Sequence, residues 1–199
     1  MKTENAVLMK QARETLSGKW GLAMGFCFLY MLIMIIVRVP RNIGPILSIL
    51  ISGPMLIGLT TFSLAFSRRQ EATVSQLLIG FNEFGRALYA YILMIVFILL
   101  WSLLLVVPGI IAALSYSQIF FILSEDKSVS PKEAMKRSKK MMDGNKKKLF
   151  FLGLRFFGWL LLSMLTLGIG LLWLVPYIQI TMAKFHDDIS GKSVLPDTA

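Results

Sequence analysis

The sequence predicts an all-α membrane protein: six transmembrane helices, paired as three helical hairpins, with amphipathic cytoplasmic interfacial helices between them. Three observations carry that expectation. Hydrophobic residues make up 56% of the 199, mean hydropathy is +0.69 and charged residues are 16%, against about a quarter in soluble domains. Six apolar stretches alternate with polar ones. Eighteen of the 21 Lys and Arg residues fall on one side of the resulting alternation, the side that is retained in the cytoplasm during insertion.

The chain reads as one polytopic domain over 1–199. Residues 1–19 form an amphipathic segment in which Val7, Leu8, Ala12 and Leu16 precede Gly18. The first span is Trp20–Val37. Its apolar run follows about twenty polar or amphipathic residues and outlasts the roughly 7–15 residues of a signal-peptide core, so it is expected to stay on the chain. Pro40 ends it, and Ile43–Phe66 forms the second span with Pro54 inside.

A cytoplasmic loop, 67–86, follows. Thr73-x-x-Gln76 ahead of Leu77-Leu78-Ile79-Gly80 has the form of a short capping box. Ala87–Val107 and Gly109–Leu123 are the third and fourth spans, separated by Pro108-Gly109. The second cytoplasmic loop, 124–148, holds Ser130-Pro131-Lys132-Glu133, a fuller capping box with Pro at the first helical position. A helix is expected from there to Gly144, with Ala134, Met135, Ser138, Met141 and Met142 on its less polar side. Leu149–Leu165 and Leu171–Phe185 complete the set around Gly168-Ile169-Gly170, and 186–199 is a tail.

Crossing a hydrocarbon core of about 30 Å takes about 20 helical residues, so the fourth and sixth spans are short. Four spans, with Leu99–Leu123 and Leu149–Phe185 as re-entrant or kinked units, are the alternative. Positive residues favour an even count with both termini in the cytoplasm: only Arg38 and Arg41 lie on the other side, and Arg155 lies within a span. The recurrence of an amphipathic helix ending at Gly18, Gly80 or Gly144 before each pair of spans suggests a threefold pseudo-repeat.

The net charge of +10 lies beside apolar spans and lacks a soluble basic fold with base-stacking aromatics, so anionic lipid is the expected partner and nucleic acid is not. Candidate headgroup contacts are Lys132, Lys136, Arg137, Lys139, Lys140, Lys146, Lys147, Lys148 and Arg155. Arg155 is the ionisable residue inside a span, seven positions from Lys148 and within snorkelling reach of the interface. Tyr116, Gln118, Tyr177 and Gln179 form a candidate intramembrane polar cluster, with interhelical packing as its default role. Trp20, Trp101, Trp159 and Trp173 read as interface anchors and packing. His186, followed by Asp187 and Asp188, reads as solvated surface, since one histidine beside adjacent carboxylates makes a poor metal site. Cys27 reads as a small buried hydrophobe.

No Walker motif, nucleophile elbow, Cys-x-x-Cys or His-Glu-x-x-His occurs, so neither catalysis nor a cofactor is expected. The leading expectation is a non-enzymatic, multi-pass plasma-membrane protein that engages lipids, a membrane-protein partner or a second copy of itself. A small transporter or channel subunit, using broken helices around Pro108 and Pro176, is the alternative.

At Leu105-Val106-Val107-Pro108-Gly109-Ile110, Ser115-Tyr116-Ser117 and Glu133-Ala134-x-x-x-Ser138-Lys139-x-Met141-Met142-x-Gly144, the chain resembles the bacterial integral membrane family catalogued as domain of unknown function 975. Leu16-Ser17-Gly18-Lys19-Trp20, Gly158-Trp159-Leu160-Leu161, Leu165-Thr166-Leu167-Gly168-Ile169-Gly170 and Pro176-Tyr177 extend the resemblance over almost the whole chain. It departs where the family usually has Phe-Tyr after the last span, for here Phe185 precedes His186. The resemblance implies a multi-pass bacterial membrane protein and assigns no catalytic residue. The chain is more distantly similar to the membrane domain attached to some glycerophosphodiester phosphodiesterases, which implies lipid-related work by analogy.

Overall fold

A computed structural model describes residues 3–166 and 168–192. Lys2, Leu167 and positions 193–199 of the tail lie outside the described residues. Among those described there is no strand, and the helices run in the order α1 (Asn5–Leu16), α2 (Trp20–Arg38), α3 (Gly44–Ser67), a 3-10 segment (Val74–Glu83), α4 (Phe84–Leu104), α5 (Val106–Tyr116), α6 (Ile119–Glu125), α7 (Pro131–Met141), α8 (Lys146–Leu165) and α9 (Leu171–Ser190).

Among the described residues five segments, against the six expected, are long and apolar enough to cross a membrane: Trp20–Arg38, Gly44–Ser67, Val74–Leu104, Val106–Glu125 and Lys146–Leu165. α9 is as long as α8, but its second half carries Lys184, His186, Asp187 and Asp188. Burial divides the five sharply. The α3 window is 72% buried and the α5–α6 window 56%, whereas those of α2, α4 and α8 are 17%, 11% and 22% buried. α3 is therefore the central helix, and α2, α4 and α8 present apolar side chains such as Ile35, Leu99 and Leu162 outward. A helix apolar on its outward face suits lipid as its solvent.

α3 can be central because small residues line it. A methyl group added at Gly53 would lie 2.3 Å from the Ala87 carbonyl oxygen, and one at Gly58 2.3 Å from that of Leu77. Ser48, Thr60 and Ser63 turn their hydroxyls back to carbonyls within the helix, which removes their polar cost in the core.

The segment after Thr73 departs from expectation. It is a 3-10 helix without a side-chain cap; the Thr73 hydroxyl meets Ser75 at 2.8 Å instead. Gly80 does not end it. That glycine is needed for close approach, since a Cβ there would lie 2.0 Å from the Pro54 carbonyl oxygen. Gly18 and Gly144 do carry the left-handed φ of helix ends, +79° and +71°, so the three expected stop signals are two helix ends and one packing contact.

α7 follows its capping box. Pro131 opens the helix and the Ser130 hydroxyl accepts the Glu133 N–H at 3.3 Å. Neither Pro108 nor Pro176 breaks a helix. Pro108 occupies the third position of α5, where the first turn needs no N–H from it, and Pro176 lies within continuous α9. The expected fourth span is instead interrupted at Ser117-Gln118, between α5 and α6.

Candidate functional site

The C-terminal ends of α3, α6 and α9 converge. Leu64, Phe121 and Ala183, one from each helix, pack together, and a layer of charge lies beyond them. Arg68, the C-cap of α3, donates through Nη2 to Asp187 Oδ1 at 2.6 Å and through Nε to the same oxygen at 3.1 Å, and it also pairs with Glu125. Lys192 Nζ reaches Glu125 Oε2 at 3.0 Å. His186 Nδ1 lies 2.9 Å from Gln118 Oε1, and Nε2 lies 3.3 Å from Glu125 Oε2. Both imidazole partners are oxygens, one of the Gln118 amide and one of the Glu125 carboxylate. Phe121 stacks on its face, with ring centroids 5.1 Å apart.

The electrostatics follow from helix geometry. Three helices bring unsatisfied carbonyl groups, each set equivalent to partial negative charge, to one place. The Arg68 guanidinium and Lys192 ammonium supply the countercharge, and the two carboxylates spread it among the helices. His186 is 0% and Asp187 4% exposed. The expectation that they are solvated is overturned, because α9 continues past Phe185 to Ser190 and turns them into the bundle.

A second polar junction repairs the α5–α6 interruption. The Ser138 hydroxyl, fully buried on α7, donates to the Ser115 carbonyl at 2.7 Å and accepts the Gln118 N–H at 3.2 Å. One side chain thus satisfies two backbone groups at the break, and the Gln118 side chain continues to His186. Arg86 holds the neighbouring loop, donating through Nε to the Val129 carbonyl at 2.9 Å and pairing with Glu83.

A third junction anchors the N-terminus. Lys148 Nζ lies 2.6 Å from Asp188 Oδ2, Asp188 also accepts from the Thr3 backbone N–H at 3.0 Å, and the Thr3 hydroxyl bonds it too. Burial alone would raise the Asp188 carboxyl; the Lys148 ammonium and the two Thr3 donors outweigh it and hold the group below its ordinary value.

Lys132, Lys136, Lys139, Lys140 and Lys147 are exposed, as is Arg155 on α8. Arg137 is shared with Glu133 at 3.1 Å and Asp126 at 3.8 Å. Lys146 is half-buried, and the charge of Lys148 is already matched by Asp188. The apolar side of α7 is spent on protein, with Ala134, Ser138 and Met142 buried, which leaves its basic side free.

Tyr116, Gln118, Tyr177 and Gln179 do not gather into one cluster. Tyr116 packs edge-on against Phe97, Gln118 joins His186, and the Tyr177 hydroxyl donates to the Met9 carbonyl at 3.2 Å. They occupy matching positions instead: Tyr116 and Gln118 stand seven and nine residues after Gly109, and Tyr177 and Gln179 the same distances after Gly170. Gly109, in the first turn of α5, and Gly170, the N-cap of α9, pack against Ser102 and Ser163 respectively, in each case a serine seven residues earlier. The ionic cluster itself had a faint signal in the sequence: Arg68, Glu125 and His186-Asp187 each stand at the end of an apolar run, with complementary charge.

Among the described residues, no group of three or more His, Cys, Asp or Glu side chains is placed to hold a metal ion. No curated protein and no solved structure matches the chain. The family described as protein of unknown function (DUF975) matches residues 1–110 and 103–193; the chain belongs to that family.

Proposed function

We propose that this chain is a non-enzymatic plasma-membrane protein of six spans in three hairpins, both termini cytoplasmic, which binds anionic lipid through a basic face mounted on α7. The first part of α9, Leu171–Phe185, serves as the sixth span. One observation supports the reading above others: Ala134, Ser138 and Met142 are buried on one side of α7 while Lys132, Lys136, Lys139 and Lys140 are exposed on the rest. A helix held by its apolar side presents its charges without having to fold on the membrane. Each Lys near an anionic surface contributes about 1 kcal/mol, screened by salt. A second copy of the chain or another membrane protein with an acidic face would engage the same charges.

The test uses the full chain in nanodiscs of neutral phosphatidylcholine, with or without phosphatidylglycerol. Acetylation of Lys132, Lys136, Lys139 and Lys140 should slow in the anionic discs at low salt and recover at high salt. Equal rates in both discs would defeat the lipid reading, and labelling of these lysines from outside intact cells would defeat the orientation.

A small transporter or channel subunit is the second reading. The interruption at Ser117-Gln118, tied to His186 and Glu125, favours it, since broken helices beside ionisable groups line sites in transporters. Proton or cation flux into proteoliposomes that is lost in His186→Gln would support it.

A further inference from the structure

Three of the four tryptophans in the chain surround one groove. Trp173 and Tyr177 of α9, Trp159 and Leu162 of α8 and Trp20 at the start of α2 line it; its volume is about 490 Å³, within the usual range for small-molecule sites of about 300–1,000 Å³. Trp159, Leu162 and Trp173 are each at least half exposed, so the groove opens sideways, toward the lipid in the proposed topology. It follows α9 from Tyr177 back to Gly170, about 10 Å at the helical rise.

Arg13 is its one charged lining residue. The Tyr177 hydroxyl donates to Met9, one turn before Arg13 on α1, which brings that face of α1 to the Tyr177 end of the groove. The hydroxyls of the lining are occupied: that of Ser163 donates to the Trp159 carbonyl, and that of Thr166 donates to the Ser163 carbonyl while accepting the Gly170 N–H. Glu14, the nearest carboxylate along the helix, pairs with Lys10. Arg13 has no acidic partner among the described residues. An unpaired guanidinium at the mouth of an aromatic, apolar channel complements a molecule with an anionic head and a hydrocarbon tail.

We infer that this groove is a specific site for an anionic phospholipid, its phosphodiester on Arg13 and one acyl chain lying along Trp159, Leu162 and Trp173. Trp20, an interface residue by type and place, sets the Arg13 end at headgroup level, and the groove leads from there toward the bilayer interior. Guanidinium pairs with phosphate through two parallel N–H donors, so charge alone does not define the site. The inference rests on the membrane reading above but uses none of the α7 lysines.

Native mass spectrometry of the full chain in mild detergent, titrated with phosphatidylglycerol and separately with phosphatidylcholine, tests it. One phosphatidylglycerol should bind more tightly than phosphatidylcholine. Arg13→Gln should weaken it about tenfold, the scale of a lost charge-assisted bond, while Arg13→Lys restores part of the loss and Leu162→Trp abolishes binding by filling the channel. A phosphatidylglycerol carrying a diazirine on its acyl chain should label the peptides holding Trp159 and Trp173, a readout that does not depend on any variant folding. Unchanged affinity in Arg13→Gln, equal affinity for the two lipids, or labelling confined to other peptides would overturn the site. Neutralising Lys132, Lys136, Lys139 and Lys140 together to Gln should leave this lipid bound, so failure of the α7 reading and failure of the groove are seen separately.

Discussion

Arg68→Met should be among the most damaging single changes outside the apolar core. The side chain pairs with both Asp187 and Glu125, whose side chains are 5% and 14% exposed. Removing one partner of a buried ion pair costs about 3–5 kcal/mol, because the charge left behind keeps its desolvation penalty. Arg68 is itself 23% exposed at the side chain, and water reaching that side places the expected loss near the lower end, about 3 kcal/mol. Glu125 keeps His186 and Lys192, whereas among the described residues Asp187 keeps one side-chain hydrogen bond, from the Ser67 hydroxyl at 3.3 Å, and the field of the nearby Lys184 ammonium, so most of the penalty falls on Asp187. Replacing both partners, Arg68→Met with Asp187→Leu, removes the orphaned charge. Reversible unfolding of the purified protein in mixed micelles, followed by steric trapping, gives the four free energies of the cycle. The double variant should fall short of the summed single losses by about 1–3 kcal/mol, the usual coupling of contacting groups. Losses that add to within about 0.5 kcal/mol would refute the account of the three helix ends as one electrostatic unit.

Other expectations follow from single contacts. Ser138→Ala leaves the Ser115 carbonyl and the Gln118 N–H without their partner and should cost about 1–3 kcal/mol in the same unfolding assay; no loss would show that the α5–α6 break does not depend on α7. Gly80→Ala and Gly58→Ala force a methyl group into backbone carbonyls of neighbouring segments and should cost about 1–3 kcal/mol or more, the scale of overpacking, while Gly25→Ala, which meets nothing within 4 Å, should be neutral or stabilising. Because the folded Asp188 carboxyl lies below its unfolded value, its bond to Lys148 and Thr3 stabilises N-terminal docking throughout the range above the ordinary carboxylate pKa of about 3.9, and is lost as pH falls through the lower folded value. Hydrogen exchange at residues 3–8, corrected for intrinsic rate, should stay constant from about pH 7 to 5 and rise only below about pH 4.

Local physics was readable in the chain. Apolar run length marked five of the six expected spans as membrane-length helices, Ser130-x-x-Glu133 marked the start of α7, and Gly18 and Gly144 marked helix ends, because each of these signals acts through neighbours a few residues away. Gly80 failed as a stop signal because its reason is Pro54, twenty-six positions earlier. His186 and Asp187 failed as surface residues because their partners, Gln118, Glu125 and Arg68, belong to other helices. Pro108 and Pro176 drew attention as helix breakers, yet the break fell at Ser117-Gln118, where a hydroxyl from α7 was available to satisfy the freed backbone.

By itself the sequence determined the helical class and the apolar runs: a chain this apolar, with its Lys and Arg banked between those runs, has helices long and apolar enough to cross a membrane. Tertiary structure alone decided which helix is central, which charges are matched inside the protein and which face outward, because partner choice among groups sixty to one hundred and twenty residues apart is fixed by close packing of small-residue faces that no local pattern encodes. That division explains why a solvated-looking tail became the closing edge of the ionic cluster, and why Arg13, unremarkable on its own helix, lies at the mouth of an aromatic groove.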